Sequence, residues 1–192
     1  MLPRYSTLFA ILSLQIVTLA NALAARPTDL YRNTKHGYQL SVPPGWHLSE
    51  SSNIPVIFNY PRHLALPQGL IRDGGAEIYL VPFSAVYPTV TGSTLADWIE
   101  QNNNNGNRNV KTEHVTPLST SRSYPQQVIR GESDYVRSPD DAPDDLQRQV
   151  DYYFVLQDER YHLFLRYLKA DPHGQQFEAL LKKLFQSIRS LR

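Results

Sequence analysis

The chain has 192 residues, 19 Lys plus Arg against 18 Asp plus Glu, and no Cys. Such a near-neutral balance sets up no long-range field to gather phosphates, which argues against general nucleic-acid binding. Thiol chemistry is impossible, and the length suits one domain whose core can dispense with disulfides.

Met1 to Ala24 reads as a secretory signal peptide. Arg4 is its lone charge, Leu8 to Ala20 is apolar apart from Ser13, Gln15 and Thr18, and Ala22-Leu23-Ala24 is a small-x-small cleavage signal. The run is short and polar for a membrane span, so no stable membrane insertion is expected. Residues 25–192 then form a single mature domain. Losing Arg4 takes Lys plus Arg from 19 to 18 against 18 acidic groups, so the mature chain is formally neutral. Without Cys there is no lipid anchor on an N-terminal cysteine. An exported chain without disulfides fits a bacterial envelope, periplasmic or extracellular, better than a small stapled animal protein.

Arg26 to Leu30 is expected to be a loose leader, with a strand starting at Tyr31 to Asn33. Tyr38 to Val42 alternates, with Tyr38, Leu40 and Val42 on one side, and Pro43-Pro44-Gly45 stops it. Trp46 is expected to fold back onto the core. Val56 to Tyr60 is an apolar run closed by Pro61, and residues 62–75 read as a connector. Ala76 to Val81 is a strand, with Glu77, Tyr79 and Val81 opposite Ala76, Ile78 and Leu80. Residues 83–92 read as a loop.

Thr94 and Asp97 form the signature of a capped helix start, and Leu95, Trp98 and Ile99 fall on one helical stripe. That helix is expected to end in Asn102 to Gly106. Val110 to Thr116 and Gln127 to Val136 are predicted strands, the second towards a sheet edge. Ser138 to Asp145 is a Pro-interrupted acidic loop. Its cluster Asp140, Asp141, Asp144 and Asp145 lacks the spacing of a calcium loop, so a solvated loop is the expectation.

Gln149 to Leu168 is the organising stretch. Val150, Tyr152, Phe154 and Leu156 share one face, as do Tyr161, Leu163, Leu165 and Tyr167, and Asp158-Glu159 is the expected join of an antiparallel hairpin. Upstream strands are expected to join the same sheet. The opposite face carries Asp151, Tyr153, Val155, Arg160, His162, Phe164, Arg166 and Leu168, too apolar a set for a face fully in water. It is therefore expected to be partly covered. Finally, Asp171 as N-cap and Pro172 at the first helical position predict a long C-terminal helix. Phe177, Leu180, Leu181, Leu184, Ile188 and Leu191 form its stripe, with Phe185 at the margin, and its basic end suits the helix dipole.

Gly37-Tyr38-Gln39-Leu40-Ser41-Val42-Pro43-Pro44-Gly45-Trp46 resembles the opening hairpin of the PsbP-like family and its bacterial relatives. The resemblance extends over Tyr31 to Leu191 through the order of elements. It implies an α+β fold, an α/β/α sandwich with helices on both faces of an antiparallel sheet, shared with Ran-binding Mog-type proteins. It also implies a non-enzymatic binding or assembly role. The chain lacks the lysine-rich face and chloroplast-type leader of thylakoid members, so a photosynthetic role is not carried over.

Six histidines lie in the mature chain: His36, His47, His63, His114, His162 and His173. None sits in a metal-ligand spacing, and no cofactor or metal is expected. Gly92-Ser93-Thr94 is not a nucleophile elbow and no phosphate loop is present. The candidate ligand or partner surface is Tyr79, Tyr153, His162, Phe164 and Arg166 on the second sheet face, its expected partner another envelope protein. Two further readings are a small-molecule carrier with a pocket lined by Tyr79, Tyr153 and Phe164, and an enzyme using His162 with a carboxylate.

Overall fold

The two alternating, Tyr-rich runs form a hairpin in the middle of a seven-stranded antiparallel sheet. The computed structural model describes residues 29–49, 54–60, 71, 74–86, 94–104, 110–135 and 146–191. The signal-peptide reading, most of the 62–75 connector, the Trp98 side chain and the acidic loop lie outside the described residues. β8 (Gln147–Leu156) and β9 (Glu159–Leu168) pair from Gln147 with Leu168 to Leu156 with Glu159. The turn is therefore Gln157-Asp158, not Asp158-Glu159, and Gln157 takes φ 49° to close the two-residue loop.

The other strands of this sheet are β3 (His47–Ser49), β4 (Val56–Phe58), β5 (Ala76–Pro82), β6 (Lys111–His114) and β7 (Gln126–Tyr135). Their order, β3-β4-β5-β9-β8-β7-β6, puts β9 at the centre and β7 next to the edge strand β6. β7 carries an irregularity between Gln126 and Ile129, with Gln127 at φ 50°. That extra residue switches which side chains face which way, and Val128 ends in the core.

Upstream, the expectation of one sheet needs correction. β1 (Asp29–Asn33), which begins two residues before the expected start, pairs with β2 (Tyr38–Val42) and not with the central sheet. The other neighbour of β2 is β10 (Arg189–Ser190), at the end of the chain. Gly37 (φ 72°) and Gly45 (φ 79°) bracket β2 in left-handed conformations that side chains rarely adopt. They turn the chain so that Tyr38, Leu40 and Val42 enter the core. Trp46 packs edge-on against Phe177, as expected.

The terminal helix is shorter than the sequence implies. α3 spans Gly174–Ser187, 14 residues, with His173 rather than Asp171 as N-cap. Asp171 accepts instead from the backbone N–H groups of Gly74 and His173, tying the approach to β5 to the helix start. At the other end Ile188 is extended, and Leu191 donates its N–H to the Gly37 carbonyl at 2.9 Å. The free edge of β2 thus captures residues that continue the apolar stripe. No basic residue lies in the last turn, but the Arg189 guanidinium reaches back to the Gln186 carbonyl at 2.6 Å.

α3 covers one face of the large sheet. Phe185, assigned above to the margin, is central: it stacks on Tyr152 at 4.4 Å and meets Phe154 edge-on at 5.5 Å. Phe177, Leu181, Leu184 and Ile188 complete the contact. Each such side chain contributes about 1.5–3 kcal/mol on burial.

Two helices lie against the other face. α1 (Phe83–Val86) forms one turn where a loop is expected, and α2 is Leu95–Asn104. α2 starts with a capping box: Asp97 N–H donates to Thr94 Oγ1 at 3.1 Å, and Thr94 N–H donates to Asp97 Oδ2 at 2.7 Å. Phe83, Leu95 and Ile99 pack with Tyr153 into a second apolar cluster, bordered by Ile129.

Candidate functional site

The strand register arranges the second face in rows. One row runs Val56, Tyr79, Phe164, Asp151, Gly131, Thr112 from β4 across to β6. A second runs Phe58, Glu77, Arg166, Gln149, Ser133, and a third Val81, His162, Tyr153, Ile129, His114. All five candidate residues therefore share this face and touch in sequence. Tyr79 stacks on Phe164 at 4.8 Å, Phe164 meets His162 at 4.6 Å, and His162 stacks on Tyr153 at 4.3 Å. The Arg166 guanidinium lies 4.7 Å from the Tyr79 ring centre and 5.7 Å from that of Phe164. Such cation–π contacts hold the guanidinium against the aromatic pair.

Exposure divides the set. Tyr153 and His162 are 1% and 6% exposed, sealed beside Phe83, Leu95 and Ile99, whereas Tyr79, Phe164 and Arg166 are half-buried. Tyr79 and Phe164 stack on each other, and Tyr153 is packed under the helices. The described cleft between sheet and α2, about 400 Å³, has a different lining that includes Ile99, Val110 and Ile129.

Sequence reasoning left several polar members of the site unassigned. Asp151, 0% exposed, meets His162 Nε2 through Oδ1 at 2.6 Å, and the Gln149 amide donates to the same oxygen at 2.6 Å. Glu77 accepts from the Tyr60 hydroxyl, from Tyr79 at 2.6 Å and from Arg166 at 3.4 Å. Burial, opposed by Arg166 and reinforced by Glu77, pushes the Tyr79 hydroxyl up to about 12. Burial and the bond to Glu77 also hold Tyr60 above the ordinary tyrosine range. Both phenols are therefore neutral donors at physiological pH. Among the described residues, five of the six buried polar side chains lie on this face: Ser133, Gln147, Gln149, Asp151 and His162. A buried sheet face is ordinarily apolar, so this concentration is the site's signature.

The Asp151–His162 pair has the composition of an acid–base dyad; Nε2 turns to Asp151, and the ring stacks on Tyr153 and lies against Phe164. No group of three His, Cys, Asp or Glu able to hold a metal occurs among the described residues, and none of their helices is long and apolar enough to cross a membrane.

No protein-family model matches the chain, and no curated protein matches its sequence. Among solved structures, it aligns with cyanobacterial PsbP (CyanoP) from Synechocystis over 85% of its own length and 92% of that chain. The identity is 11% and the TM-score 0.43. A protein of unknown function from Pseudomonas aeruginosa, PA94, aligns over 82% of this chain and 94% of its own, at 15% identity and a TM-score of 0.43. Likeness at this level assigns neither family nor function. The antiparallel α+β architecture stands on the strand order and register above.

Proposed function

We propose that the chain is an exported, non-enzymatic binding or assembly factor of the bacterial envelope with PsbP-like architecture. Another envelope protein is its partner, docking on the second sheet face at Tyr79, Phe164 and Arg166. The observation that carries this reading is the half-buried Tyr79–Phe164–Arg166 stack beside a helix-covered half of the same face. Rigid aromatic rings and a preorganised guanidinium are the side chains that anchor protein interfaces at low entropic cost. Tyr60, Tyr79 and Arg166 all converge on Glu77, which fixes their rotamers before any partner arrives. The export reading rests on Met1 to Ala24, and the PsbP-like reading on Gly37 to Trp46 and the order of elements.

The test is affinity capture from a native envelope fraction with the wild-type chain and with a Phe164→Ser, Arg166→Glu variant. A protein retained by the former and lost by the latter, with unchanged circular dichroism, is the expected result. The same set of proteins on both baits, or nothing above background, sinks the reading.

A further inference from the structure

We propose that the cleft beneath α2 binds a small organic cation, a primary amine on an apolar body, whose ammonium group is received by Asp151. This goes beyond the partner contact, which lies on β5 and β9.

The cleft, about 400 Å³, has apolar walls from Ala96, Ile99, Val110 and Ile129 and a carboxylate at Glu100; Glu113 borders it, but its carboxylate turns to Arg130 on the α3 face. Among its described lining residues none is Lys or Arg, although Glu113 shares the Arg130 guanidinium with Glu132 and Glu178. The floor adjoins Gly131. A Cβ placed there would lie 3.0 Å from Val110 Cγ1 and 3.5 Å from Asp151 Oδ2. The missing side chain thus brings the wall of the cleft and the Asp151 carboxylate to one point.

Asp151 is 0% exposed. Its Oδ1 is engaged by His162 and Gln149, but its Oδ2 accepts no hydrogen bond among the described residues. The neighbouring Ser133 hydroxyl, 3% exposed, is likewise unpartnered. A buried carboxylate oxygen without a donor is costly, and a native fold retains one only for a reason. A charged N–H donor arriving through the cleft supplies the missing hydrogen bond at charge-assisted strength. A bare metal ion does not fit, because no set of three suitable ligands is assembled among the described residues. The apolar walls call for a hydrocarbon body behind the charge. Entry requires a rotamer change of Val110, whose side chain sits over Gly131.

Titration of the 15N-labelled chain with n-hexylamine, 1-hexanol and hexanoate tests the proposal. With hexylamine, saturable amide shifts are expected at Val110, Thr112, Ile129 and Gly131; hexanol and hexanoate leave them unmoved. Asp151→Asn weakens hexylamine binding by about tenfold or more, since the charge is lost while the shape is kept. Should that variant not fold, the three-ligand series on the wild type decides alone. Hexanol binding as well as the amine, shifts confined to other regions, no saturation with hexylamine, or an unaffected folded Asp151→Asn variant would each overturn it. Asp151→Asn keeps the Tyr79–Phe164–Arg166 stack and so retains the captured partner, which makes failure of the partner reading and of this one separable.

Discussion

The two faces of one sheet solve opposite problems. Towards α3 the side chains are Ile78, Leu80, Val150, Tyr152, Phe154, Leu163 and Leu165, closed by Phe185. Towards α1 and α2 the same three strands present Glu77, Tyr79, Asp151, Tyr153, His162, Phe164 and Arg166. The first set gains from leaving water. The second needs a hydrogen-bond partner for nearly every buried group before it breaks even. Two faces of one sheet with such different chemistry and burial separate what holds the fold from what the fold presents.

Substitutions on the α3 face should therefore be the most damaging. Phe185→Ala empties the contact with Tyr152 and Phe154 and is expected to cost about 3–5 kcal/mol in urea unfolding. A loss under 1 kcal/mol would mean that α3 is not the principal cover of the sheet. Next in size is Gly174→Ala, where the new methyl carbon would sit 2.7 Å from Tyr167 Cε2. That ring cannot easily yield, because its hydroxyl is bonded to Glu178 at 2.7 Å, so about 1–3 kcal/mol should be lost.

On the other face, Asp151→Ala leaves His162 and Gln149 without their acceptor. A loss of about 1–3 kcal/mol is expected, smaller than for Phe185→Ala despite complete burial. A larger loss there than at Phe185 would erase the distinction between the faces.

The smallest effect is at the charged rim beside α3. Lys169→Ala removes a partner of Asp134 at 2.8 Å, and the pair is half exposed, so less than about 1 kcal/mol is at stake. Burial raises the Asp134 carboxyl, but bonds to Lys169 and Arg148 outweigh it and hold the group below the usual carboxylate range. A depressed folded value means that its contribution is complete above the unfolded pKa of about 3.9 and is lost as pH falls through the folded value. Carboxyl-carbon NMR should show the Asp134 titration moving upward in Lys169→Ala, and no movement would remove Lys169 from the account.

How much of this was legible depends on whether the information is local. Period-two alternation identified the central hairpin and placed Tyr79, Tyr153, His162, Phe164 and Arg166 on one face, because side-chain direction needs no knowledge of pairing. The Thr94–Asp97 box was equally local. Contacts between strands were not. A turn at Asp158-Glu159 would have set Asp151 opposite Arg166; the actual turn at Gln157-Asp158 sets it opposite Phe164, diagonal to His162. Shifting the turn by one residue moves every partner by two while preserving both faces, so the Asp151–His162 bond stayed hidden. The helix end was misread for a similar reason. Ile188 continues the stripe, but competition from the edge of β2 takes Arg189 and Ser190 into a strand.

The separation between a stabilising and a presenting face is tested most directly by an Asp151→Leu, His162→Phe, Gln149→Met triple variant, which removes the amide bonded to Asp151 along with the pair, compared with wild type by urea denaturation. If the buried polar group is kept for recognition, apolar replacements of similar size leave stability unchanged or raise it by about 1–4 kcal/mol. A folded variant weakened by about 3 kcal/mol or more would show that the group holds the sheet together and would contradict the account.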